Sequence, residues 1–445
     1  MQILSKKVAI VTLGCPKNQV DSEVMSGRIG EKYQVVEGPE QADIIIVNTC
    51  TFIESAKAES IETILEMAQY KDEGTCKTLV ATGCLAQRYG DELLKDIPEL
   101  DGVLGTGNIS EVIEAIEEAE SQRVRRISSE APDFLYDETM PRNRLSPKEY
   151  AYVKVAEGCD NYCTYCVIPH VRGHFRSRKQ ESILQEVKTM ADEGVKEVLL
   201  IAQDTTRYGL DLYGEYRLPS LIQQIAEIEG IQWIRLMYCY PELFTDELIR
   251  VMKETPKVCR YLDLPLQHAH DKVLREMNRR GSIQEAEELI LKLRQAMPDI
   301  RIRTTMITGF PGETEEEFQA VITFAKRVRF DRLGAFAYSQ EESTPAAKRV
   351  DQVPLEIRES RRDELMRVQQ DIAYELQQRW VNKVLKVLIE EKLPDGRWVG
   401  RTEGDAPEID GLVYVKSPKA LQIGDFVQVK ILEADSYDLV GEVVL

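Results

Sequence analysis

The sequence lacks long apolar runs and any sign of export. No stretch of its 445 residues approaches the roughly 20 apolar residues that a membrane span needs, and no signal-peptide core follows Met1. We therefore expect a cytoplasmic protein with no membrane partner, in which thiols stay reduced. The nine cysteines are an odd number, which argues against a complete disulfide framework and favours metal binding or catalysis.

Positive charge is also in short supply. The sequence has 57 Lys and Arg residues against 76 Asp and Glu residues, so its net charge is −19. Such a field repels nucleic acid unless a local basic patch overrides it, and we expect no tight nucleic-acid binding. A basic protein partner fits this charge better. The length of the chain indicates about three domains.

Residues 1–120 alternate short apolar strands with helical patterns. The strands are predicted at 8–13, 44–47, 79–81 and 103–104. Short buried strands that alternate with helices imply a parallel sheet, so we predict an N-terminal α/β domain over 1–120. The polar segment 121–150 contains three prolines and is typical of a linker that wraps over a neighbouring domain.

The strand and helix alternation resumes over residues 151–345. Six strands are predicted there, at 152–156, 197–202, 233–237, 261–264, 302–307 and 333–337. Six such units predict a partial, open version of the eight-unit β/α barrel, with its site at the carboxyl ends of the strands. A connecting helix is predicted within 346–380.

The hydrophobic period changes to two over residues 381–445. Short apolar segments separated by Asp-Gly and Gly-Asp turns predict a small antiparallel β-barrel that serves as an added binding module. The predicted fold class is therefore α/β, with an N-terminal parallel sheet, a central open six-unit barrel and a C-terminal β-barrel.

A compact cysteine triplet follows the first strand of the central domain. Cys159, Cys163 and Cys166 have the spacing C-x-x-x-C-x-x-C, and three thiolates can hold three corners of a cubane iron–sulfur cluster. The fourth iron then stays open, which catalysis requires. The alternative is a zinc site completed by His170 or His174, although structural zinc sites more often use paired C-x-x-C units.

A second, dispersed triplet ends three strands of the N-terminal domain. Cys15, Cys50 and Cys84 are 35 and 34 residues apart, about one strand and helix each. The ends of parallel strands share one edge of the sheet, so we interpret these thiols as a second ligand set. The remaining cysteines show no such pattern and are interpreted as ordinary small residues: Cys76, Cys239 and Cys259.

The two triplets followed by a small β-barrel resemble the methylthiotransferases of the radical S-adenosylmethionine (SAM) superfamily. Residues 13–18, which read LGCPKN, are similar to the branch that modifies an aspartate of the small-subunit ribosomal protein S-twelve. The tRNA-modifying branch tends to carry Gln-Met at positions 16–17. Further similar segments read GCDN, IAQDTT and DLPLQH, at 158–161, 201–206 and 263–268. His270 departs from the family, in which serine is more usual.

The resemblance implies two 4Fe–4S clusters, with the auxiliary cluster on the dispersed triplet and the SAM-binding cluster on the compact triplet. It also implies that the tail is a TRAM domain and that Tyr165 lies against the adenine of SAM, although plain packing is an equal alternative. Polar residues and a glycine-rich turn at successive strand ends suit SAM, and we expect cofactor binding by Gln203, Gln267, Gly309 and Gly312.

Three arginines follow the compact triplet in the sequence, at positions 172, 176 and 178. Their guanidinium groups could hold carboxylates bidentately. Solvated surface arginines are the alternative.

The implied reaction attacks an unactivated C–H bond, so a cofactor has to supply a radical. One SAM methylates a sulfur on the auxiliary cluster, and a second SAM is reductively cleaved. The resulting 5′-deoxyadenosyl radical takes hydrogen from the aspartate β-carbon, which then captures the methylthio group. The reaction needs a sulfur source and an electron donor such as flavodoxin or ferredoxin, and a helper protein could present the substrate.

Two alternatives stay open: a tRNA adenosine methylthiotransferase and a non-enzymatic metal-binding adaptor. Residues 381–445 hold eight Lys and Arg against twelve Asp and Glu. This charge predicts weak binding of RNA phosphates and favourable binding of a basic ribosomal protein or of the ribosomal subunit. The carboxylates expected to dock this partner are Glu403, Asp405, Glu408 and Asp410.

Overall fold

The computed structural model describes residues 6–121, 126–127 and 132–444, and for 126–127 the backbone alone. The linker predicted over 121–150 therefore lies partly outside the described residues, as does Leu445 at the end of the predicted C-terminal barrel. Within the described residues, no helix is long and apolar enough to cross a membrane.

A six-stranded parallel sheet forms the N-terminal part. Its strands are β1 (Lys7–Thr12), β2 (Gln34–Val35), β3 (Ile44–Thr49), β4 (Thr78–Thr82), β5 (Gly102–Leu104) and β6 (Arg126–Ile127). Its helices are α1 (Pro16–Ile29), α2 (Glu54–Glu73), α3 (Gly83–Asp96) and α4 (Val112–Ser121). The strand order is β2-β1-β3-β4-β5-β6. Every residue of β3 and β4 is buried, as expected of strands covered on both faces.

The central part is an open sheet with helices along one face. Its strands are β7 (Tyr150–Lys154), β8 (Ala156–Glu157), β9 (Arg176–Ser177), β10 (Glu197–Ile201), β11 (Trp233–Leu236), β12 (Val258–Asp263), β13 (Arg301–Thr308) and β14 (Arg332–Ala337). Six of them pair in parallel in the order β14-β13-β12-β11-β10-β7, while β8 and β9 form a separate antiparallel pair. The predicted open array of six units is confirmed.

Nine helices accompany these strands in the described part of the chain. They are α5 (Ile168–Arg172), α6 (Gln180–Asp192), α7 (Leu210–Tyr213), α8 (Leu218–Ala226), α9 (Asp246–Glu254), α10 (Asp271–Glu276), α11 (Ile283–Ala296), α12 (Glu315–Val328) and the long α13 (Leu355–Gln378). Helices α11 and α12 each begin with a capping box, formed by Ser282 with Glu285 and by Thr314 with Glu317, which satisfies the free amides of their first turns.

The two faces of the central sheet have different neighbours. One face packs against its own helices and includes Val153 and Val198. The opposite face includes Leu199 and packs against Val20 of α1 and against Phe426 near the C-terminus. The open barrel is therefore covered on its helix-free face by the parts of the chain that precede and follow it.

The C-terminal part is a closed five-stranded barrel. Its strands are β15 (Val384–Lys392), β16 (Trp398–Thr402), β17 (Val413–Lys416), β18 (Phe426–Ala434) and β19 (Leu439–Val443), in the order β15-β16-β17-β19-β18. Four of the five pairings are antiparallel, as predicted, and the pairing of β17 with β19 is parallel. Closure removes exposed strand edges and buries a small apolar core.

Buried ion pairs join this barrel to the central sheet. Arg401 of the barrel donates to Glu197 of β10 at 2.7 Å. Asp405 accepts hydrogen bonds from Arg301 at 2.7 Å and from Arg332 at 2.6 Å. All five side chains are buried. Because an unpaired charge is costly in the interior, these contacts fix where the barrel sits on the sheet.

Two of the four carboxylates predicted to dock a basic protein are buried against the central part, and the other two, the half-buried Glu403 and the exposed Glu408, also contact it. Asp405 is 2% exposed, and the side chain of Asp410 is 1% exposed. Glu403 accepts a hydrogen bond from a backbone amide of β12, and Glu408 accepts one from the Tyr150 hydroxyl. The docking prediction is therefore wrong for Asp405 and Asp410, because arginines on the central strands already neutralise them.

Replacing Asp405 by Ala leaves Arg301 and Arg332 buried without their shared anion. We expect the barrel to lose about 3–5 kcal/mol of stability, measured as faster hydrogen exchange of the backbone amides in β15–β19. The control is Glu433→Ala, which removes an exposed carboxylate of β18 and should change stability by less than about 0.5 kcal/mol. Equal exchange in the two variants would contradict a role for Asp405 in holding the barrel.

Candidate functional site

The compact cysteine triplet lies in the loop between β8 and α5. Gly158 begins this loop with a φ of +79°, and a Cβ there would lie 2.0 Å from the carbonyl oxygen of His174, so only glycine fits. The amide of Cys159 donates to a backbone carbonyl across the loop at 3.1 Å, and the amide of Cys166 donates to the carbonyl of Cys163 at 3.0 Å. These bonds hold the three thiols on one short turn.

Cys159 and Cys163 are buried, and Cys166 is half-buried. Asn161 donates to Cys159 Sγ at 3.5 Å, and the Tyr240 hydroxyl lies 3.7 Å from Cys163 Sγ. Burial raises the pKa of Cys159 to about 11, and the thiolate charge of Cys163 acts in the same direction. Burial and the same neighbour also raise the pKa of Cys166. The negative charge of one thiolate disfavours ionisation of its neighbours. Such thiols become thiolates at neutral pH when a metal cluster supplies positive charge.

The dispersed triplet lies at the carboxyl ends of three adjacent strands. Cys15 precedes α1, Cys50 follows β3, and Cys84 is the second residue of α3. Gly14 has a φ of +87°, and a Cβ there would lie 2.8 Å from Cβ of Cys50, so these two turns approach closely. Burial, followed by the thiolate charges of Cys84 and Cys15, raises the pKa of Cys50 to about 12. The sheet therefore brings together three thiols that are distant in sequence.

Both triplets suit a cluster better than a single metal ion. Among the residues described, no three His, Cys, Asp or Glu side chains are grouped closely enough to hold one ion. His170 and His174 are exposed, and His174 Nδ1 lies 3.0 Å from Asp160, which weakens the zinc alternative. A cubane spreads its three thiolates further apart and leaves one iron open. The donor sets therefore fit a 4Fe–4S cluster at each triplet.

A buried network of charged groups lies beside both triplets. Arg172 donates to Cys84 Sγ at 3.3 Å and to Asp21 of α1 at 2.6 Å. Lys154 of β7 donates to Asp21 and to Glu157, each at 2.5 Å. Burial alone would raise the pKa of Glu157, but Lys154 and Arg172 outweigh it and hold the pKa well below its usual range. The network joins the N-terminal part to the central part through charge.

The three arginines that follow the compact triplet are part of the internal framework. Arg172 and Arg178 are 3% and 1% exposed, so the surface alternative is wrong for both. Arg178 donates to Glu186 at 2.5 Å, and Arg176 donates to the backbone carbonyls of Arg172 and Phe134. Within the described chain these guanidinium groups therefore bind the protein's own acceptors.

The side chains predicted to bind SAM lie at the carboxyl ends of successive central strands. Tyr165 is half-buried against the apolar group around Phe310. Gln203 donates to Glu157 at 2.6 Å, and its carbonyl oxygen is buried with no partner among the described residues. Gln267 has a φ of +76° and bridges to β13. These positions border the end of the sheet where ligands of such barrels bind.

Gly309 and Gly312 are required by internal packing. A Cβ on Gly309 would lie 2.3 Å from Cγ of Arg358 on α13, and a Cβ on Gly312 would lie 2.5 Å from the carboxylate of Asp351. The amide of Gly309 donates to Glu313 at 2.9 Å. The glycine-rich turn is thus shaped by contacts within the protein, at the end of β13 and next to the predicted ligand site.

Two buried cations at the site were missed by sequence reasoning. Arg279 lies 4.0 Å from the centre of the Tyr240 ring, and two of its nitrogens have no partner among the described residues. Lys17 Nζ lies 2.9 Å from the centre of the Tyr238 ring. Burial lowers the pKa of Lys17 to about 8, although the charge of Cys15 opposes this shift. No local pattern signals either cation, because their partners come from distant segments.

Three family models match the chain. They are Uncharacterized protein family UPF0004 over residues 7–105, the Radical SAM superfamily over 153–325 and the TRAM domain over 381–444. A protein of Desulfitobacterium hafniense described as ribosomal protein uS12 methylthiotransferase RimO is 80% identical over 444 residues, which is 100% of each chain. The chain belongs to the uS12 methylthiotransferase family.

A further member of this methylthiotransferase family, from Heliobacterium modesticaldum, is 50% identical over 443 residues, or 99% of this chain and 96% of its own. The solved structure of the radical SAM methyltransferase TsrM from Kitasatospora setae shares the fold, with a TM-score of 0.54 and 15% identity over 74% of this chain and 73% of its own. Membership of this family confirms the resemblance described above. The chain is therefore a radical SAM transferase that depends on iron–sulfur clusters and SAM.

Replacing Arg172 by Met removes the cation that the N-terminal and central parts share. Asp21 and Glu157 then lose one of their two compensating charges, and we expect α1 to lose about 3–5 kcal/mol of protection, measured by hydrogen exchange of its amides. Arg397→Met is the matched control, because Arg397 pairs with Asp395 at an exposed turn and should contribute less than about 1 kcal/mol. Protection of α1 unchanged from the native protein would contradict the bridging role.

Proposed function

We propose that this chain is a radical SAM methylthiotransferase that adds a methylthio group to the β-carbon of an aspartate in ribosomal protein uS12. The observation that carries the proposal is the 80% identity, over the whole of both chains, to a protein of that description. The site supports it, because two groups of three thiols, two of each group buried and the third half-buried, flank one buried charge network.

We assign the two sets of thiols to two 4Fe–4S clusters. Cys159, Cys163 and Cys166 would hold the cluster that binds SAM, and the auxiliary cluster would be held by Cys15, Cys50 and Cys84. When bound, these groups supply the radical and the sulfur-carrying position that side chains lack. The proposed domains are 1–120 for the auxiliary site, 121–150 for the linker, 151–345 for the SAM site, 346–380 for the connecting helix and 381–445 for the barrel.

The surrounding residues position the ligands and keep water out. Asn161 and Tyr240 contact the thiols of the compact triplet, which restricts the orientation of those side chains. Gln203 offers its unpartnered carbonyl oxygen to SAM, and Tyr165 and Gln267 border the same space. Gly309 and Gly312 contribute through the shape of their turn. Side chains held in place in this way limit the side reactions of a radical.

The choice of substrate rests on the comparisons, since the acidic C-terminal segment no longer decides it. Asp405 and Asp410 face the central sheet, so their charge says little about binding of protein or RNA. We further propose that flavodoxin or ferredoxin supplies electrons, that a separate sulfur source refills the auxiliary site and that a helper protein presents uS12. Mass spectrometry of uS12 and tRNA from cells lacking the gene tests the assignment: uS12 alone should lose a methylthio group.

Replacing Cys163 by Ala should abolish reductive SAM cleavage while the auxiliary cluster still assembles. The two triplets belong to different sheets, so iron should fall from about eight to about four atoms per chain, as two cubanes predict. Cys239→Ala, which changes a buried thiol outside both triplets, should retain both properties. Continued production of 5′-deoxyadenosine by Cys163→Ala would refute the assignment.

Replacing Cys50 by Ala should separate SAM cleavage from sulfur insertion. Iron should again fall by half, but the compact triplet is untouched, so 5′-deoxyadenosine should still form while methylthiolated uS12 does not. Cys76→Ala removes a buried thiol from the same N-terminal core and is the matched control, with product expected. Full methylthiolation by Cys50→Ala would remove the dispersed triplet from the reaction.

A further inference from the structure

Lys17 carries a buried positive charge that no carboxylate neutralises directly. The residue is 6% exposed, and its Nζ lies over the ring of Tyr238, 2.9 Å from the ring centre. Among the described residues, Lys17 takes part in no ion pair. A desolvated ammonium group on an aromatic face is partly stabilised by the ring, but it keeps its ability to bind an anion.

The carboxylates that act electrostatically on Lys17, those of Asp263 and Glu157, are bound to other cations. Asp263 accepts hydrogen bonds from Arg303 at 3.0 Å and from the backbone amide of Tyr238 at 3.0 Å. Glu157 is held by Lys154 and Arg172. Lys17 and Arg279 are therefore the two buried cations described at this site that have no carboxylate partner among the described residues. Lys17 is the one that lies next to the dispersed triplet, and a ligand with a carboxylate would supply its missing partner.

Lys17 lies between the two proposed cluster sites. It stands two residues after Cys15, in the first turn of α1, and Tyr238 is the second residue after the end of β11 in the central sheet. Gly14 is exposed, and Cys15 and Tyr238 are half-buried, so the residues around the buried ammonium group are partly accessible to solvent. This is the side from which we expect a substrate side chain to approach Lys17.

We propose that Lys17 binds the side-chain carboxylate of the substrate aspartate, an inference that rests on the proposed function. The reacting carbon of aspartate is bonded directly to this carboxylate. An ion pair with Lys17 would therefore hold the β-carbon next to the auxiliary site, which begins at Cys15. It would also select aspartate over asparagine, because the neutral amide would leave the buried ammonium unpaired.

The test compares uS12 with a uS12 variant that carries Asn in place of the modified aspartate. Dissociation constants of both are measured for the reconstituted native enzyme and for Lys17→Met, Lys17→Arg and Lys386→Met. The last variant is the control, because Lys386 also lies over an aromatic ring, that of Phe426, at 4.1 Å. Iron content, visible absorption and SAM affinity are measured on every variant.

The native enzyme should bind the Asp form at least about tenfold more tightly than the Asn form, as for one charge-assisted hydrogen bond. Lys17→Met should bind both forms alike, Lys17→Arg should keep part of the preference, and Lys386→Met should match the native enzyme. Iron content and SAM affinity should not change.

Several results would overturn the proposal. Equal binding of the Asp and Asn forms of uS12 by the native enzyme would overturn it. This result needs no variant, so it decides the question even if a variant fails to fold. A Lys17→Met enzyme that keeps the preference also overturns it. If instead absorption changes, Lys17 balances the charge of the cluster, and if only SAM affinity falls, Lys17 binds the carboxylate of SAM. A native enzyme that leaves uS12 unmodified would refute the proposed function itself.

Discussion

The structure depends on buried ion pairs that join the N-terminal, central and C-terminal parts of the chain. Arg172 reaches from the central part to Asp21 and Cys84 of the N-terminal part, next to both sets of thiols. In a low-dielectric interior such contacts are directional, and few alternative arrangements satisfy all partners. We interpret this network as a device that fixes geometry, since buried ion pairs often add little net stability compared with apolar packing.

Buried ion pairs also fix the geometry at the other end of the central sheet. Asp405 lies between Arg301 and Arg332. Part of the negative charge of the C-terminal segment is therefore paired with arginines inside the molecule. The net charge of −19 describes the whole chain, but it does not say which carboxylates face a partner. Long-range attraction of a basic protein is consistent with that charge, but the buried carboxylates of Asp405 and Asp410 are not available to contact such a partner.

The sequence predicts the sheets well because parallel strands covered on both faces are apolar throughout, as β3 and β4 are. The sequence also predicts that Cys15, Cys50 and Cys84 lie at one edge of the N-terminal sheet, because the carboxyl ends of its parallel strands meet there. The role of Asp405 could not be predicted, because its partners lie on distant strands. The burial of Lys17 depends in the same way on Tyr238, and the edge strand Gln34–Val35 is too short to show a pattern.

The spacing of the two triplets has a consequence for biogenesis. Cys159, Cys163 and Cys166 are neighbours in sequence, so a nascent or partly folded chain can already present them to iron. The dispersed thiols are separated by complete strand and helix units. Bringing them together closes long loops of chain, and the contacts of the completed sheet are needed to offset the entropy that this closure costs. If the dispersed triplet holds the auxiliary cluster as proposed, its three ligands come together only when the N-terminal sheet has formed, so we expect folding of this sheet to come before insertion of that cluster.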